Sequence, residues 1–104
     1  MPSKVERKLA AIMFTDIAGY TEQMSKDEDK AFALIQKKRE LLLPLLKKFN
    51  GDLIKEIGDG TLTRYFKPDN AVACASSFQS KTDTDLKVRA GIHTGEVIID
   101  KEDV

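Results

Sequence analysis

The chain has 104 residues, which is the length of one small domain. It carries 17 lysine and arginine residues against 17 aspartate and glutamate residues, so its formal net charge is zero. A neutral chain has no general attraction for nucleic acid or for an anionic membrane, so any phosphate ligand must be held by a local site. The single cysteine, Cys74, excludes an intrachain disulfide and a zinc site built on several cysteines.

The amino-terminal residues are polar, and the apolar run that follows, Leu9 to Phe14, is too short for a signal peptide or a membrane span. We therefore expect a cytoplasmic location and no membrane segment in this chain. The only histidine, His93, is not accompanied by a nucleophile elbow. Carboxylates and metal ions are therefore better candidates for chemistry than a serine-histidine-aspartate triad.

The first half of the chain predicts a strand followed by a long helix. Residues 8–15 form a nearly continuous apolar run, which is typical of a strand buried on both faces. A capping-box pattern at Ser25 predicts the helix start, and apolar residues at helical spacing continue to the helix-ending pair Asn50-Gly51. Pro44 lies inside this pattern and predicts a bend or a junction between two helical pieces.

The middle of the chain predicts a hairpin and a second helix. Residues 52–57 and 61–66 are strand-like and flank the turn sequence Gly58-Asp59-Gly60. Pro68 then opens a helix that continues to about Ser80, with small and aromatic apolar side chains on one face.

The last segment predicts two more strands. Residues 86–93 alternate apolar and polar side chains, and the pair Thr94-Gly95 predicts a turn into a further strand over 96–99. The element order is β-α-β-β-α-β followed by one extra strand. This is the ferredoxin-like pattern, an α+β fold in which both helices cover one face of an antiparallel sheet. Because no linker or repeat divides the chain, residues 1–104 are predicted to form a single domain.

This topology brings two acidic residues to one edge of the sheet. Asp16 follows the first strand and Asp59 lies in the hairpin turn, while the third strand lies beside the first. Two neighbouring carboxylates repel each other, and Mg²⁺ offsets this by binding one or two carboxylates with waters and substrate phosphates. Gly19 lets a phosphate approach the backbone near a helix start. Taken alone, Asp59 also fits a plain turn and Asp16 a helix start.

Three segments of the chain form a set of motifs: FTDIAGYT at 14–21, KEIGDG at 55–60 and VRAGIHTGEVI at 88–98. In their order and spacing they resemble the class III adenylate/guanylate cyclase catalytic domain. The resemblance runs from about Lys8 to the C-terminus. It implies an adenylate cyclase that converts ATP to cyclic AMP and pyrophosphate with two Mg²⁺ or Mn²⁺ ions per site. It also implies a head-to-tail homodimer with active sites at the interface.

The resemblance implies roles for individual residues. Asp16 and Asp59 match the two catalytic, metal-binding aspartates, and Ile17 matches a residue whose main-chain carbonyl also faces metal. The loop that holds the terminal phosphates corresponds to Ala18, Gly19, Tyr20 and Thr21.

The resemblance also implies a base-recognition pair contributed by the second protomer. Lys55 matches the lysine that reads the purine, which suits ATP because guanylate cyclases of the family usually carry glutamate there. Asp103 matches the aspartate that partners this lysine. In the family, an asparagine and a transition-state arginine come after the position of Val104, and neither is in this chain. We therefore expect the domain to be incomplete. Each such donor often contributes a factor of about 10²–10³ to the reaction rate, so we expect very weak turnover at best.

Two other interpretations stay open. The first is a non-catalytic cyclase-homology module that dimerises or senses a nucleotide for a larger protein. The second is a diguanylate cyclase or polymerase-like palm, which shares the β-α-β-β-α-β core. Its Gly-Gly-Glu-Glu-type hairpin signature is absent, since this hairpin reads Gly-Asp-Gly.

Three further features are interpreted as structural. The basic run Lys37-Lys38-Arg39 is interpreted as the solvated face of the long helix. Cys74, among alanines, is interpreted as a small core residue, and His93 at a strand end as a structural histidine.

Overall fold

The computed structural model describes residues 5–82 and 86–100. The described part is an α+β fold whose four-stranded antiparallel sheet has the strand order β2-β3-β1-β4. The third strand therefore lies beside the first, as the predicted topology requires. In chain order the elements are β1 (Val5–Ile17), α1 (Tyr20–Lys26), α2 (Glu28–Lys48), β2 (Asp52–Ile57), β3 (Gly60–Tyr65), α3 (Pro68–Lys81) and β4 (Val88–Asp100).

The region predicted as one long helix contains two helices. They meet at Asp27, whose side chain caps the start of α2 by accepting a hydrogen bond from the Lys30 N–H at 3.1 Å. The predicted cap at Ser25 is wrong, because Ser25 lies in the last turn of α1 and donates its hydroxyl to the Glu22 carbonyl at 2.8 Å. The junction suggested at Pro44 does not occur, since α2 runs through it. None of these described helices is long and apolar enough to cross a membrane.

The two strands predicted at the end of the chain are a single strand. β4 pairs with β1 residue by residue, from the Val5–Asp100 pair to the Ile17–Val88 pair. The predicted turn at Gly95 and the extra C-terminal strand are therefore wrong for the described residues. A continuous antiparallel ladder satisfies the main-chain hydrogen-bonding groups of both strands, and this outweighs the local turn preference of a Thr-Gly pair.

The hydrophobic core lies between one face of the sheet and the helices α2 and α3. Alternate residues of β1 point to this face, and the helices contribute apolar residues three and four positions apart. Cys74 is fully buried there, as predicted, and its Sγ accepts a hydrogen bond from the Tyr65 hydroxyl at 3.3 Å. The buried core residues are Ala11, Met13, Ile17, Leu42, Leu45, Leu46, Tyr65, Ala71, Cys74, Phe78, Leu86 and Val88.

Candidate functional site

The end of β1 and the β2–β3 turn meet at one edge of the sheet. β1 pairs with β3 up to Thr15 opposite Thr61, so the last residues of β1 lie beside the turn. Oδ2 of Asp59 accepts a hydrogen bond from the main-chain N–H of Ile17 at 2.9 Å, across 42 positions of sequence. This contact holds the Asp59 carboxylate against the strand end that carries Asp16.

A cleft of about 370 Å³ opens at this edge. Both predicted metal-binding aspartates line it, together with the start of α1 and one arginine of β4. Three carboxylates and a single guanidinium face the cleft, so its charge favours a cation over an anion. The lining residues are Asp16, Ile17, Gly19, Tyr20, Thr21, Glu22, Asp59 and Arg89.

Arg89 forms a two-point ion pair with Asp16. Its Nε donates to Oδ1 at 2.7 Å and its Nη2 donates to Oδ2 at 2.8 Å. The register of the β1–β4 ladder places the two residues opposite each other. Hydrogen bonding to Asp16, followed by the charge of that carboxylate, raises the pKa of Arg89 above its usual value. This partner of Asp16 is not among the residues predicted from the sequence, although Arg89 lies inside the motif VRAGIHTGEVI.

A buried lysine of α2 lies on the core side of the two aspartates. Lys38 is only 2% exposed, and its Nζ donates to the carbonyl of Thr15 at 3.0 Å and to the carbonyl of Asp59 at 2.6 Å. A third bond of 3.0 Å goes to the hydroxyl of Thr61. Burial lowers the pKa of Lys38 to about 8, although the charges of Asp59 and Asp16 act in the opposite direction.

The interpretation of the basic run as a solvated helix face is therefore wrong for Lys38. Its neighbour Arg39 does face outward, where it forms a 2.8 Å ion pair with Glu56. The helical phase contained a signal for the difference. Lys38 comes seven residues after Ala31 and four before Leu42, and both of these are buried, so it lies on the same stripe of α2.

The residues predicted to bind phosphate lie just before and at the start of α1. Gly19 is the N-cap residue, with a φ of 75° in the left-handed region that favours glycine. Gly19, Tyr20 and Thr21 line the cleft. Ala18 differs from them, because its main-chain N–H donates to the carbonyl of Lys87 at 2.8 Å.

The structure does not bring Lys55, the lysine predicted to recognise the base, to this cleft. Lys55 lies on β2, opposite Leu62, and every residue of this edge strand is exposed. Asp103 lies outside the described residues. The cleft of one chain thus combines the predicted metal residues with three of the four predicted phosphate residues, without the predicted base-reading lysine.

The oxygen donors at the cleft fit a hard divalent cation in kind. Within residues 5–82 and 86–100, no group of three or more histidine, cysteine, aspartate or glutamate side chains could hold a metal ion. Mg²⁺ commonly binds one or two carboxylates and completes its shell with water and substrate phosphate. Asp16 and Asp59 therefore suit a cation that arrives together with a phosphate ligand.

Curated proteins with similar sequences include one cyclase. The chain is 30% identical over 110 residues to "Putative adenylate cyclase 3" of Rhizobium meliloti (strain 1021), which covers 96% of this chain and 19% of that protein. It is also 30% identical over 112 residues to "Serine/threonine-protein kinase pkn2" of Myxococcus xanthus, covering 98% of this chain and 14% of that protein. The chain thus spans less than a fifth of the length of each of these two curated relatives. No protein-family model matches it.

Solved structures agree with the cyclase relative. An adenylate/guanylate cyclase/hydrolase from Silicibacter pomeroyi matches with a TM-score of 0.77 and 30% identity, over 91% of this chain and 61% of that chain. The chain belongs to the class III adenylate/guanylate cyclase catalytic-domain family. A bacterial light-regulated adenylyl cyclase shares the fold of this cyclase domain, with a TM-score of 0.81 at 18% identity, over 90% of this chain and 32% of that chain.

Proposed function

We propose that this cyclase domain converts ATP to 3′,5′-cyclic AMP and pyrophosphate. The observation that carries the proposal is that Asp16 and Asp59, from distant parts of the sequence, line one cleft together with the start of α1. The name of the Rhizobium relative supports the same reaction. The choice of nucleotide, the turnover and the roles of single residues are all parts of this proposal, as is the cytoplasmic location.

Asp16 and Asp59, with the main-chain carbonyl of Ile17, would hold two Mg²⁺ or Mn²⁺ ions. Such ions, when bound, supply charge stabilisation for attack of the ribose 3′-hydroxyl on the α-phosphate. The Ile17 N–H already holds the Asp59 carboxylate at the strand end, so little rearrangement of this group is needed. The terminal phosphates would lie against Ala18, Gly19, Tyr20 and Thr21.

Base recognition would come from a second copy of the chain. Lys55 does not line the cleft of its own chain, and it lies on an exposed edge strand. Leu53, Ile54 and Ile57 of the same strand are 42%, 46% and 65% exposed, which offers apolar surface for a contact between copies. In a head-to-tail homodimer, Lys55 and Asp103 of one copy would read the adenine bound at the aspartates of the other.

The proposal is tested by measuring cyclic AMP formed from ATP with Mg²⁺ or Mn²⁺. The 104-residue chain and a longer natural version that contains it are assayed as wild type, Asp16→Asn and Asp59→Asn. Asp69→Asn is the matched control, because Asp69 is an exposed acid at the start of α3. We expect cation-dependent product, lost by about 10²-fold or more in the first two variants and kept in the control. Unchanged product formation in either site variant would overturn the assignment.

A second candidate function is a non-catalytic module that binds a nucleotide or dimerises. The Arg89–Asp16 ion pair favours it, because the guanidinium satisfies both oxygens of a carboxylate that would otherwise receive a cation. Calorimetric titration with ATP and Mg²⁺ separates the two functions. ATP binding by both versions, with no cyclic AMP from either, would favour the module over the enzyme.

A further inference from the structure

We propose that Lys38 is a positioning residue that sets the relative placement of Asp16 and Asp59 at the cleft. The inference rests on the proposed function, because it takes these two carboxylates to be the groups that receive a divalent cation. Lys38 itself does not line the cleft, so it acts through the carbonyl groups of Thr15 and Asp59 and the hydroxyl of Thr61.

One ammonium group joins α2 to two other segments of chain, the end of β1 and the β2–β3 hairpin. The Thr15 carbonyl belongs to the residue before Asp16, and the Asp59 carbonyl belongs to the second aspartate itself. The Thr61 hydroxyl belongs to β3, immediately after the turn. An ammonium has three N–H donors, and each has an acceptor within 3.0 Å. Both carboxylate-bearing segments are therefore tied to a single atom, Nζ of Lys38.

The anchor is rigid because it comes from the core face of α2. Lys38 is 2% exposed and lies in the stripe that includes the buried residues Ala31 and Leu42. A buried charge is costly unless it is paired and hydrogen-bonded, and an apolar side chain would fill this position without that cost. The ammonium therefore contributes more than packing. It fixes the distance between the carbonyl groups of Thr15 and Asp59, and so the distance between the two aspartates.

Removal of Lys38 should change the affinity for a divalent cation in opposite directions, depending on whether Lys38 positions the aspartates or acts only as a charge. A positive charge near the cleft repels a divalent cation, so if Lys38 acted only as a charge, its loss would tighten cation binding. If Lys38 positions the aspartates, its loss weakens cation binding, because the groups that orient metal ligands commonly contribute 10- to 100-fold in affinity. A role in stability alone would change the unfolding midpoint and leave the affinity of the folded chain unchanged.

The first measurement is Mn²⁺ binding to the 104-residue chain, followed by electron paramagnetic resonance of the free ion. We expect Lys38→Met to bind Mn²⁺ about tenfold more weakly than wild type. Thr61→Val removes one acceptor and keeps the lysine, so we expect a loss of about threefold. Lys47→Met removes an exposed lysine of the same helix and should leave the affinity unchanged. Equal or tighter binding by Lys38→Met would overturn the proposal.

The second measurement needs no cation. Hydrogen exchange of the Ile17 amide, which donates to Asp59 Oδ2, reports the placement of Asp59 against β1. We expect this amide to exchange about tenfold faster in Lys38→Met, relative to the Met13 amide of the same strand. An unchanged ratio of the Ile17 exchange rate to the Met13 exchange rate would overturn the positioning role. If Lys38→Met does not fold, Thr61→Val decides both measurements.

The two proposals fail in different ways. Mn²⁺ binding by the wild-type chain that is insensitive to Asp16→Asn and Asp59→Asn, or no binding at all, would count against the proposed function. The amide measurement would still decide whether Lys38 positions the turn. If the wild-type chain binds Mn²⁺ and Lys38→Met binds it equally well, the proposed function would be unaffected. The positioning role of Lys38 would then be wrong.

Discussion

Arg89 and Asp16 face each other across the β1–β4 ladder and are joined by two hydrogen bonds of 2.7 and 2.8 Å. This pair, together with the Ile17–Asp59 contact, accounts for how two acidic residues share one rim of the sheet. One carboxylate is neutralised by a guanidinium and the other accepts a main-chain N–H. Any cation that binds Asp16 therefore competes with Arg89 for the same two oxygens.

Removal of the competing guanidinium should strengthen cation binding. We expect Arg89→Gln to bind Mn²⁺ about two- to fivefold more tightly than wild type, the effect of an exposed ion pair. Arg7→Gln is the control, because Arg7 makes a looser 3.6 Å ion pair with Glu96 elsewhere on the sheet. Titration with Mn²⁺ measures the affinity of both variants. Weaker binding by Arg89→Gln would show that the guanidinium supports the cation site instead of competing for it.

The Asp59–Ile17 contact should stabilise the fold as a hydrogen bond. Asp59→Ala leaves the buried Ile17 N–H without its acceptor, and we expect a loss of about 1–3 kcal/mol in the free energy of unfolding. Asp59→Asn keeps an amide oxygen at the same position, so its loss in the free energy of unfolding should be clearly smaller. Urea denaturation of the two variants measures the difference. Equal losses would assign the effect to the charge of Asp59.

Gly51 should not tolerate a side chain. A Cβ there would lie 2.5 Å from Cε2 of Tyr65 and 2.9 Å from Cδ2 of Leu46, both in the core. We expect Gly51→Ala to lower the free energy of unfolding by about 1–3 kcal/mol through overpacking. Gly91→Ala serves as the control, since a Cβ at that position meets no atom within 4 Å. Comparable unfolding midpoints for the two variants would contradict the close packing of Tyr65 and Leu46 around Gly51.

The Tyr65 hydroxyl should make stability depend on alkaline pH. Burial, more than its contact with Cys74, raises the pKa of Tyr65 above the usual value of 10.0. The folded pKa exceeds the unfolded one, so this stabilisation is complete below about pH 10 and is lost as the pH rises further.

The comparison of wild type with Tyr65→Phe isolates this effect. The advantage of wild type over Tyr65→Phe should shrink by about 1.4 kcal/mol between pH 8 and pH 11, because Tyr65 ionises in the unfolded chain over this range but stays neutral in the folded chain. The other titrating groups are common to the two proteins and cancel in the comparison. Chemical denaturation at both pH values measures the change. Parallel pH profiles for the two proteins would show that the hydroxyl ionises as readily in the folded chain as in the unfolded one.

Lys55 should control the choice of base if the proposed function is correct. We expect Lys55→Glu to weaken the preference for ATP over GTP by roughly 1–3 kcal/mol, the worth of a directional polar contact to the base. Competition between the two nucleotides during turnover measures the preference. Lys47→Glu introduces the same charge change on an exposed part of α2 and should leave the preference unchanged. Unaltered discrimination by Lys55→Glu would remove Lys55 from the site.

Local sequence signals were reliable where no stronger interaction opposed them. The hairpin around Gly58 and Asp59 and the helix that begins at Pro68 both formed as predicted. The helix start at Ser25 and the turn at Gly95 did not. Asp27 supplied a side-chain cap two residues later, and the long ladder with β1 kept Gly95 within a strand. At Asp27 one local cap replaced another, whereas at Gly95 a short-range turn preference was outweighed by long-range main-chain hydrogen bonds.

The sequence by itself determined that Asp16 and Asp59 share an edge of the sheet, because the order of strands and helices decides at which end each connection lies. Only the tertiary structure decided what those carboxylates contact. Arg89 is 73 positions from Asp16, and Lys38 reaches the Asp59 carbonyl from a helix. Such partners depend on strand register and helix phase, which are set by the packing of all the elements together.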